Sequence, residues 1–270
     1  MDIGTNKPSF AERASVPHHI IDVVDPDEDF SLATYHRLAF DALKAIQEKG
    51  KLPLLVGGTG LYVWSLVEGW KIPQVPPDRE MRRQLENRAQ QDDSQSLHRE
   101  LQNIDAVAAA RIDPRNIRRV VRALEIYNAT GQQPSKLQRK EEPGFPILVI
   151  GLTEERSRLY RRIDKRVDEM LRRGLVEEVK QLMEKGFSPL SPSMSGIGYR
   201  QMVQFLRGDM TLPEAVDKMK HETHRLARHQ YAWFRLNDSR IRWFGVTEIE
   251  EKASIVGMDG IEALIEDFIS

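Results

Sequence analysis

Leu52-Pro53-Leu54-Leu55-Val56-Gly57-Gly58-Thr59-Gly60-Leu61-Tyr62 is the stretch on which the reading of this chain turns. A short apolar run ends in Gly-Gly-Thr-Gly, and apolar residues suited to a helix follow at Leu61, Tyr62, Val63 and Leu66. That order predicts a buried strand over residues 52–56, a tight turn and a helix start. Glycines let a ligand approach the main chain, and the free N–H groups of a helix start favour an anion or a polar ligand edge. The same pattern also serves as a plain strand-to-helix connection, so its neighbours decide its meaning.

Upstream, Ser31 is placed to cap a helix whose apolar face is Leu32, Tyr35, Ala39, Ala42, Leu43 and Ile46, with Gly50 as its stop. Val16-Pro17-His18-His19-Ile20-Ile21-Asp22 reads as a short strand, which would turn its two histidines to opposite faces, one packed and one exposed. A metal shared between them is not expected. Helix, strand, glycine turn and helix form an α/β alternation, which implies a largely parallel sheet. Residues 146–152 return to buried-strand composition and residues 241–244 form the expected last strand. Between them, Leu159, Tyr160, Ile163, Val167, Met170 and Leu171 make the apolar face of a helix that ends at Gly174. A second helix follows from Leu175 to about Lys185. Gly198-Tyr199-Arg200-Gln201 opens a third, and Thr211-Leu212-Pro213-Glu214 has capping-box spacing for a long helix to about Arg235.

Pro73, Pro76 and Pro77 mark a boundary. From Asp78 to Gly131 the pattern is helical, with Asp113-Pro114 as an expected N-cap and first turn. The predicted organisation is an α/β core from residues 1–75 and 135–246, a helical insertion at 76–134, and an acidic tail at 247–270.

The 270 residues are 40% hydrophobic and 30% charged, enough for a sizeable core in a water-soluble chain. No apolar run approaches the roughly 18 residues of a membrane span, residues 1–15 lack the apolar centre of a signal peptide, and the cytoplasm is the expected compartment. With no cysteine, disulfides, thiolate zinc sites and cysteine nucleophiles are excluded. The net charge of −1 is uneven. The tail holds seven acids against Lys252 alone, a net −6, which leaves +5 on residues 1–246. A basic body permits a polyanionic partner.

The basic residues are patterned. Lys218, His221, Arg225, Arg228 and Arg235 recur at three- and four-residue spacing on the long helix, with Glu222 as the one acid between Lys218 and Arg235. Such a stripe can follow a phosphate backbone, and arginine suits bidentate phosphate contact. A solvated face is the alternative. Arg115, Arg118, Arg119 and Arg122 form a second cluster, in which Arg122 and Glu125 are spaced to pair. Lys136-Leu137-Gln138-Arg139-Lys140 is a third, read as an exposed loop. No metal-ligand spacing and no complete Gly-x-x-x-x-Gly-Lys-Ser/Thr loop is present.

Five segments taken in order resemble the tRNA dimethylallyltransferase (tRNA isopentenyltransferase) family. They are Met1-Asp2-Ile3-Gly4-Thr5-x-Lys7-Pro8, Val16-Pro17-His18-His19-x-Ile21-Asp22, Leu52-Pro53-x-x-Val56-Gly57-Gly58-Thr59-Gly60-Leu61-Tyr62, Arg122-Ala123-Leu124-Glu125 and Gly198-Tyr199-Arg200-Gln201. The resemblance covers about residues 1–245. It implies an α/β core like that of P-loop kinases, a helical insertion that clasps the anticodon stem-loop, and a monomer. The implied reaction moves the dimethylallyl group of dimethylallyl diphosphate to N6 of adenine 37, with Mg²⁺ on the diphosphate. Carried over by position, Thr59, Arg82, the Gln138-Arg139-Lys140 loop and the helix segment Arg225-Leu226-Ala227-Arg228-His229-Gln230 are implied tRNA contacts. Thr5, Lys7, Gly57, Gly58 and Arg200 are implied supports of the active site.

Departures from the family pattern qualify this. His224, Arg228 and His229 occupy positions often filled by arginine, lysine and arginine, which lowers the fixed charge at neutral pH. Ser195 stands where some relatives carry a diphosphate-binding arginine. The family's phosphate-binding loop, its first strand and its general-base aspartate precede the Met-Asp-Ile-Gly-Thr motif, so this exact chain is expected to be a truncated form without transferase activity. Two rival readings are a truncated P-loop-type kinase of small molecules or nucleotides, and a non-catalytic tRNA-binding fragment.

Overall fold

The computed structural model describes residues 1–91, 94–249, 252–255 and 258–270. In chain order the elements are α1 (Phe10–Ser15), α2 (Leu32–Glu48), α3 (Gly60–Val67), α4 (Arg79–Gln91), α5 (Ser94–Ile104), α6 (Ala106–Arg111), α7 (Ile117–Thr130) and α8 (Pro134–Leu137). Then come β1 (Val149–Thr153), α9 (Arg156–Arg172), α10 (Leu175–Glu184), α11 (Tyr199–Leu206), α12 (Leu212–Trp233), β2 (Ile241–Ile249), β3 (Lys252–Ile255) and α13 (Met258–Ile269). The chain forms two compact units. One comprises Met1–Phe30, Ala42–Gly60 and Pro146–Ser270, the other Ser31–Asp41 and Leu61–Phe145.

The α/β expectation holds in the first unit. β1 and β2 pair in parallel, Val149 opposite Ile241 through Thr153 opposite Gly245, and helices α9 to α12 make the crossover that parallel pairing requires. β2 runs past the expected end at Phe244 and pairs antiparallel with β3, Val246 opposite Ile255. The acidic tail therefore begins within a strand and ends in helix α13; Glu250 and Glu251 lie outside the described residues. The core of this unit packs Val167 and Met170 of α9, Leu175 and Val179 of α10, Met202 of α11 and Met219 of α12 around Met194.

Helix ends follow the local chemistry. Ser31 Oγ accepts the Thr34 N–H at 3.0 Å and caps α2, while Gly50 stops it at φ 65°. Thr211 and Glu214 close both halves of a capping box at α12. Gly174 adopts φ 97° between α9 and α10, a left-handed conformation that a side chain would strain.

Two strand expectations fail. Residues 52–56 form no regular element and belong to no sheet, and Leu54 and Val56 are 71% and 89% exposed. Apolar composition favours a strand only where a neighbour supplies the ladder and covers the faces, and no described strand pairs with this one. Residues 16–22 form an irregular, bent segment, and Ile20 and Asp22 take φ of 59° and 56°, which a strand does not allow. Without strand alternation, His18 and His19 are both exposed.

The second unit is helical. Leu97, Leu101, Val120 and Leu124 are fully buried at the contact of α5 with α7, and Leu85 of α4 joins them. Asp113 does not cap α7. It accepts the N–H and guanidinium of Arg115, and Asn116 caps the helix one turn later than expected. Gly131 ends α7 at φ 66°, as read from sequence.

Candidate functional site

In the first unit the glycine turn is held against α12. Gln230 Nε2 donates to the Gly58 carbonyl oxygen at 3.2 Å. A Cβ on Gly60 would lie 2.2 Å from Cγ of Trp233, so only a glycine lets the chain pass that ring. Thr59, between these two anchors, and Gly57, just before them, are exposed. The turn and the Gln230–Trp233 face of α12, remote in sequence, are thus in contact.

Elsewhere round α12 Arg225, Arg228 and His229 are exposed, and Leu226 is half exposed. Arg228 Nη1 donates to the Tyr160 hydroxyl at 2.8 Å, and Arg156 Nε donates to the same oxygen at 3.0 Å. Burial raises the Tyr160 phenol, but these two guanidinium bonds outweigh it and leave the group below its ordinary value. His224 stacks on the Tyr160 ring at 4.0 Å, with Asp164 2.9 Å from its Nε2. A cavity of about 220 Å³ opens here between α9 and α12, lined by Arg156, Leu159, Tyr160, Arg228 and Tyr231. Sequence periodicity placed Tyr160 on the apolar face of α9. Its hydroxyl role was not read, because nothing in the α9 pattern shows what α12 brings to it.

The acids that temper α12 also come from elsewhere. Asp168 of α9 pairs with Lys220 at 2.7 Å, and Arg200 of α11 pairs with Glu222. Glu222 further accepts from Gln201 at 2.6 Å, so Arg200 braces α11 against α12. Lys218 meets only the Gln204 amide, at 3.2 Å, and Arg225 has no protein acceptor among the described residues.

The Met1–Pro8 segment is held by Glu178 of α10. Its carboxylate accepts the backbone N–H groups of Asp2 at 2.7 Å and Ile3 at 2.9 Å and the Tyr199 hydroxyl at 2.6 Å. Gly4 lies on the Tyr199 ring, where a Cβ would come within 2.5 Å. Thr5 donates back to the Met1 carbonyl at 2.9 Å. Lys7 bridges the carboxylates of Asp2 and Asp22. Burial opposes its charge, but the two carboxylates outweigh that and raise it. A second cavity, about 500 Å³, is lined by Lys7, Ser9, Glu12, His18 and Arg173. Ser195 is exposed and donates to the Pro192 carbonyl at 2.6 Å.

In the second unit Arg82 of α4 sits against Glu125 of α7, with Nε and Nη2 on the two carboxylate oxygens at 2.9 and 2.8 Å. Arg122 makes the expected pair with the same carboxylate. The 138–140 loop runs beside Gly69–Lys71 through an isolated bridge of Trp70 with Lys140. Arg139 pairs with Glu141 at 2.9 Å, and Lys140 pairs with Glu68 and lies 5.8 Å from the Trp70 ring centre. Its cations are therefore partly compensated, although all three side chains from Gln138 to Lys140 are exposed. No group of three or more His, Asp or Glu side chains converges as a metal cage among the described residues.

A parallel strand pair with a helical crossover, a separate helical unit and an arginine-bearing helix that meets a glycine turn define an α/β protein. The IPP transferase family matches residues 1–237. The chain is 51% identical to a tRNA dimethylallyltransferase of Thermomicrobium roseum over 92% of its own length and 75% of that protein. Among solved structures it resembles the full-length tRNA isopentenylpyrophosphate transferase of Bacillus halodurans, with a TM-score of 0.66 and 40% identity over 100% of this chain and 82% of that one. A eukaryotic dimethylallyltransferase acting on tRNA matches with a TM-score of 0.72 and 27% identity over 90% of this chain and 63% of that one. The chain belongs to the IPP transferase family.

Proposed function

We propose that this chain acts in tRNA modification, in the transfer of a dimethylallyl group from dimethylallyl diphosphate to N6 of adenine 37 in the anticodon loop. In that reaction the allylic C–O bond breaks and its electron pair leaves with the diphosphate. The N6 lone pair forms the new C–N bond, and N6 gives up one proton. The adenine must leave its stack for this, as in other enzymes that work on a base.

The observation that carries the reading is the Gln230–Gly58 hydrogen bond, which ties the glycine turn to the helix that bears Arg225 and Arg228. Thr59 is presented to the RNA between the Gly58 and Gly60 anchors, while Arg225 and Arg228 take backbone phosphates. Arg82 and the Gln138-Arg139-Lys140 loop are proposed as further tRNA contacts on the helical unit. Gly57 and Gly58 shape the turn, Thr5 and Lys7 order the Met1–Pro8 segment, and Arg200 fixes α11 on α12. Tyr160 and Arg156 are added to the sequence-derived set, because they hold Arg228.

The Mg²⁺ implied by the resemblance finds no carboxylate cage among the described residues. Asp2 and Asp22 converge, but on the Lys7 ammonium, so no step is assigned to a metal. A tRNA substrate supports the cytoplasm as the proposed compartment. No helix among the described residues is long and apolar enough to cross a membrane.

Two measurements test the proposal. An anticodon stem-loop RNA should bind with steep salt dependence. Absence of RNA binding together with tight binding of a free nucleotide would favour the kinase reading. Deleting the gene should remove dimethylallyl-adenosine from the tRNA pool, read by mass spectrometry of its nucleosides. Unchanged levels would overturn the proposal.

A further inference from the structure

Glu125 is the most heavily engaged carboxylate of the helical unit. Its side chain is 1% exposed, yet it lies between two cations that reach solvent, Arg82 at 38% and Arg122 at 31%. One oxygen accepts the Asp78 N–H at 2.7 Å and Arg82 Nε at 2.9 Å. The other accepts Arg82 Nη2 at 2.8 Å and Arg122 Nη1. Arg122 is held a second time, by Nη2 on the Val75 carbonyl at 2.9 Å. Burial works to raise the Glu125 carboxyl, but Arg82, Arg122 and the Asp78 N–H outweigh it, and the group is ionised at neutral pH.

One buried negative charge thus fixes two guanidinium groups, leaving a surplus of one positive charge on a rigid base. A guanidinium has five N–H donors. Side-on contact with Glu125 uses two of those on Arg82, and Nη1 has no protein acceptor among the described residues. Arg122 likewise keeps Nε unused. Arg118, one turn before Arg122 on α7, is exposed and has no carboxylate partner among the described residues. An arginine pair whose planes are already oriented loses little freedom on meeting a second, solvent-borne anion.

We propose that Glu125 is a positioning residue for RNA binding: it aims Arg82 and Arg122 as a pair that receives one backbone phosphate, with Arg118 continuing the track. The inference rests on the tRNA reading above and extends it from Arg82 to a defined three-arginine surface. Each arginine thus keeps a donor that no protein acceptor among the described residues takes, Nη1 on Arg82 and Nε on Arg122, on side chains that reach solvent.

The test uses an anticodon stem-loop RNA and the full chain, with folding followed by circular dichroism. Charge counting and positioning predict opposite signs for Glu125→Gln. Removing a negative charge beside an RNA surface should strengthen binding if only charge matters. Positioning predicts binding about fivefold weaker, and little further loss when Arg82→Gln is added to Glu125→Gln. Binding by folded Glu125→Gln as tight as that of the parent, or tighter, overturns the proposal. If that variant does not fold, Arg122→Lys keeps the charge and removes the fork. About threefold weaker binding supports the proposal, and unchanged binding overturns it. Failure of the parent chain itself to bind the stem-loop removes the tRNA reading and this inference together, whereas parental binding with indifferent variants removes the inference alone.

Discussion

Gln230 Nε2 bonds the Gly58 carbonyl oxygen at 3.2 Å, across 172 positions of sequence. A Cβ at Gly58 would stand 2.1 Å from that amide nitrogen, which is the far end of a flexible side chain. A Cβ at Gly60 would instead meet Cγ and Cδ2 of the Trp233 ring at 2.2 and 2.4 Å and its Cβ at 2.5 Å. The ring cannot yield as an amide can. Gly60→Ala should therefore destabilise by about 1–3 kcal/mol, as overpacking does. Gly58→Ala should cost less than about 1 kcal/mol and act mainly by displacing Gln230. Urea unfolding of the two variants decides this, and equal costs would show that Trp233 swings aside.

Tyr160 joins Arg228 to Arg156 through one hydroxyl oxygen. Tyr160→Phe keeps the ring on which His224 stacks and removes the acceptor. Losing an acceptor for a charged donor should free Arg228 and weaken stem-loop binding roughly threefold. The unfolding midpoint should barely move, because the hydroxyl lies at the surface. Filter-binding titrations beside thermal unfolding separate the two effects, and unaltered affinity would confine Tyr160 to packing.

These contacts show what the sequence could reveal. Ser31, Gly50, Thr211, Gly131 and Gly174 end or begin helices where local chemistry requires it, since a cap is decided within four residues. Residues 52–56 misled because an apolar run carries no information about whether a neighbouring strand is present. Asp113-Pro114 misled because the Asp113 carboxylate spends its acceptors on Arg115. The spacing of Arg122 and Glu125 was legible on one helix, but the arrival of Arg82 from α4 was not. Likewise the stripe on α12 was visible, whereas the bond of its Arg228 to the Tyr160 hydroxyl depends on how α9 packs.

Glu178 predicts a pH dependence of stability. Burial tends to raise its carboxyl, but the Tyr199 hydroxyl and the N–H groups of Ile3, Asp2 and Gly4 outweigh that and lower it. A carboxyl depressed by folding contributes stability above its unfolded value and loses it as pH falls through the folded one. Bonds to a charged acceptor of this kind contribute roughly 1.5–3 kcal/mol. Glu178→Gln should be less stable by about that amount at pH 7, and the difference should shrink below about pH 4, the ordinary glutamate range. Urea midpoints measured from pH 7 to pH 3 test the trend. A gap that stays constant across that range would mean that Glu178 acts by shape alone.

Arg225 and Arg200 offer a matched pair for the charge argument. Arg225 on α12 is exposed and has no protein acceptor among the described residues, whereas Arg200 is tied to Glu222. A cation that meets a phosphate releases condensed counterions, and each such contact adds roughly 0.7–0.9 to the slope of log affinity against log salt. Arg225→Gln should therefore lower that slope by nearly one contact and weaken binding most at low salt. Arg200→Gln should leave the slope almost unchanged, because its charge is already balanced by Glu222, and should show its cost in the packing of α11 on α12 as a lower unfolding midpoint. Stem-loop titrations from 50 to 200 mM salt, a range over which such slopes are well resolved, distinguish the two. Equal slope changes for both variants would mean that Arg200 leaves Glu222 when RNA arrives, and the brace between α11 and α12 would then be a contact that binding breaks.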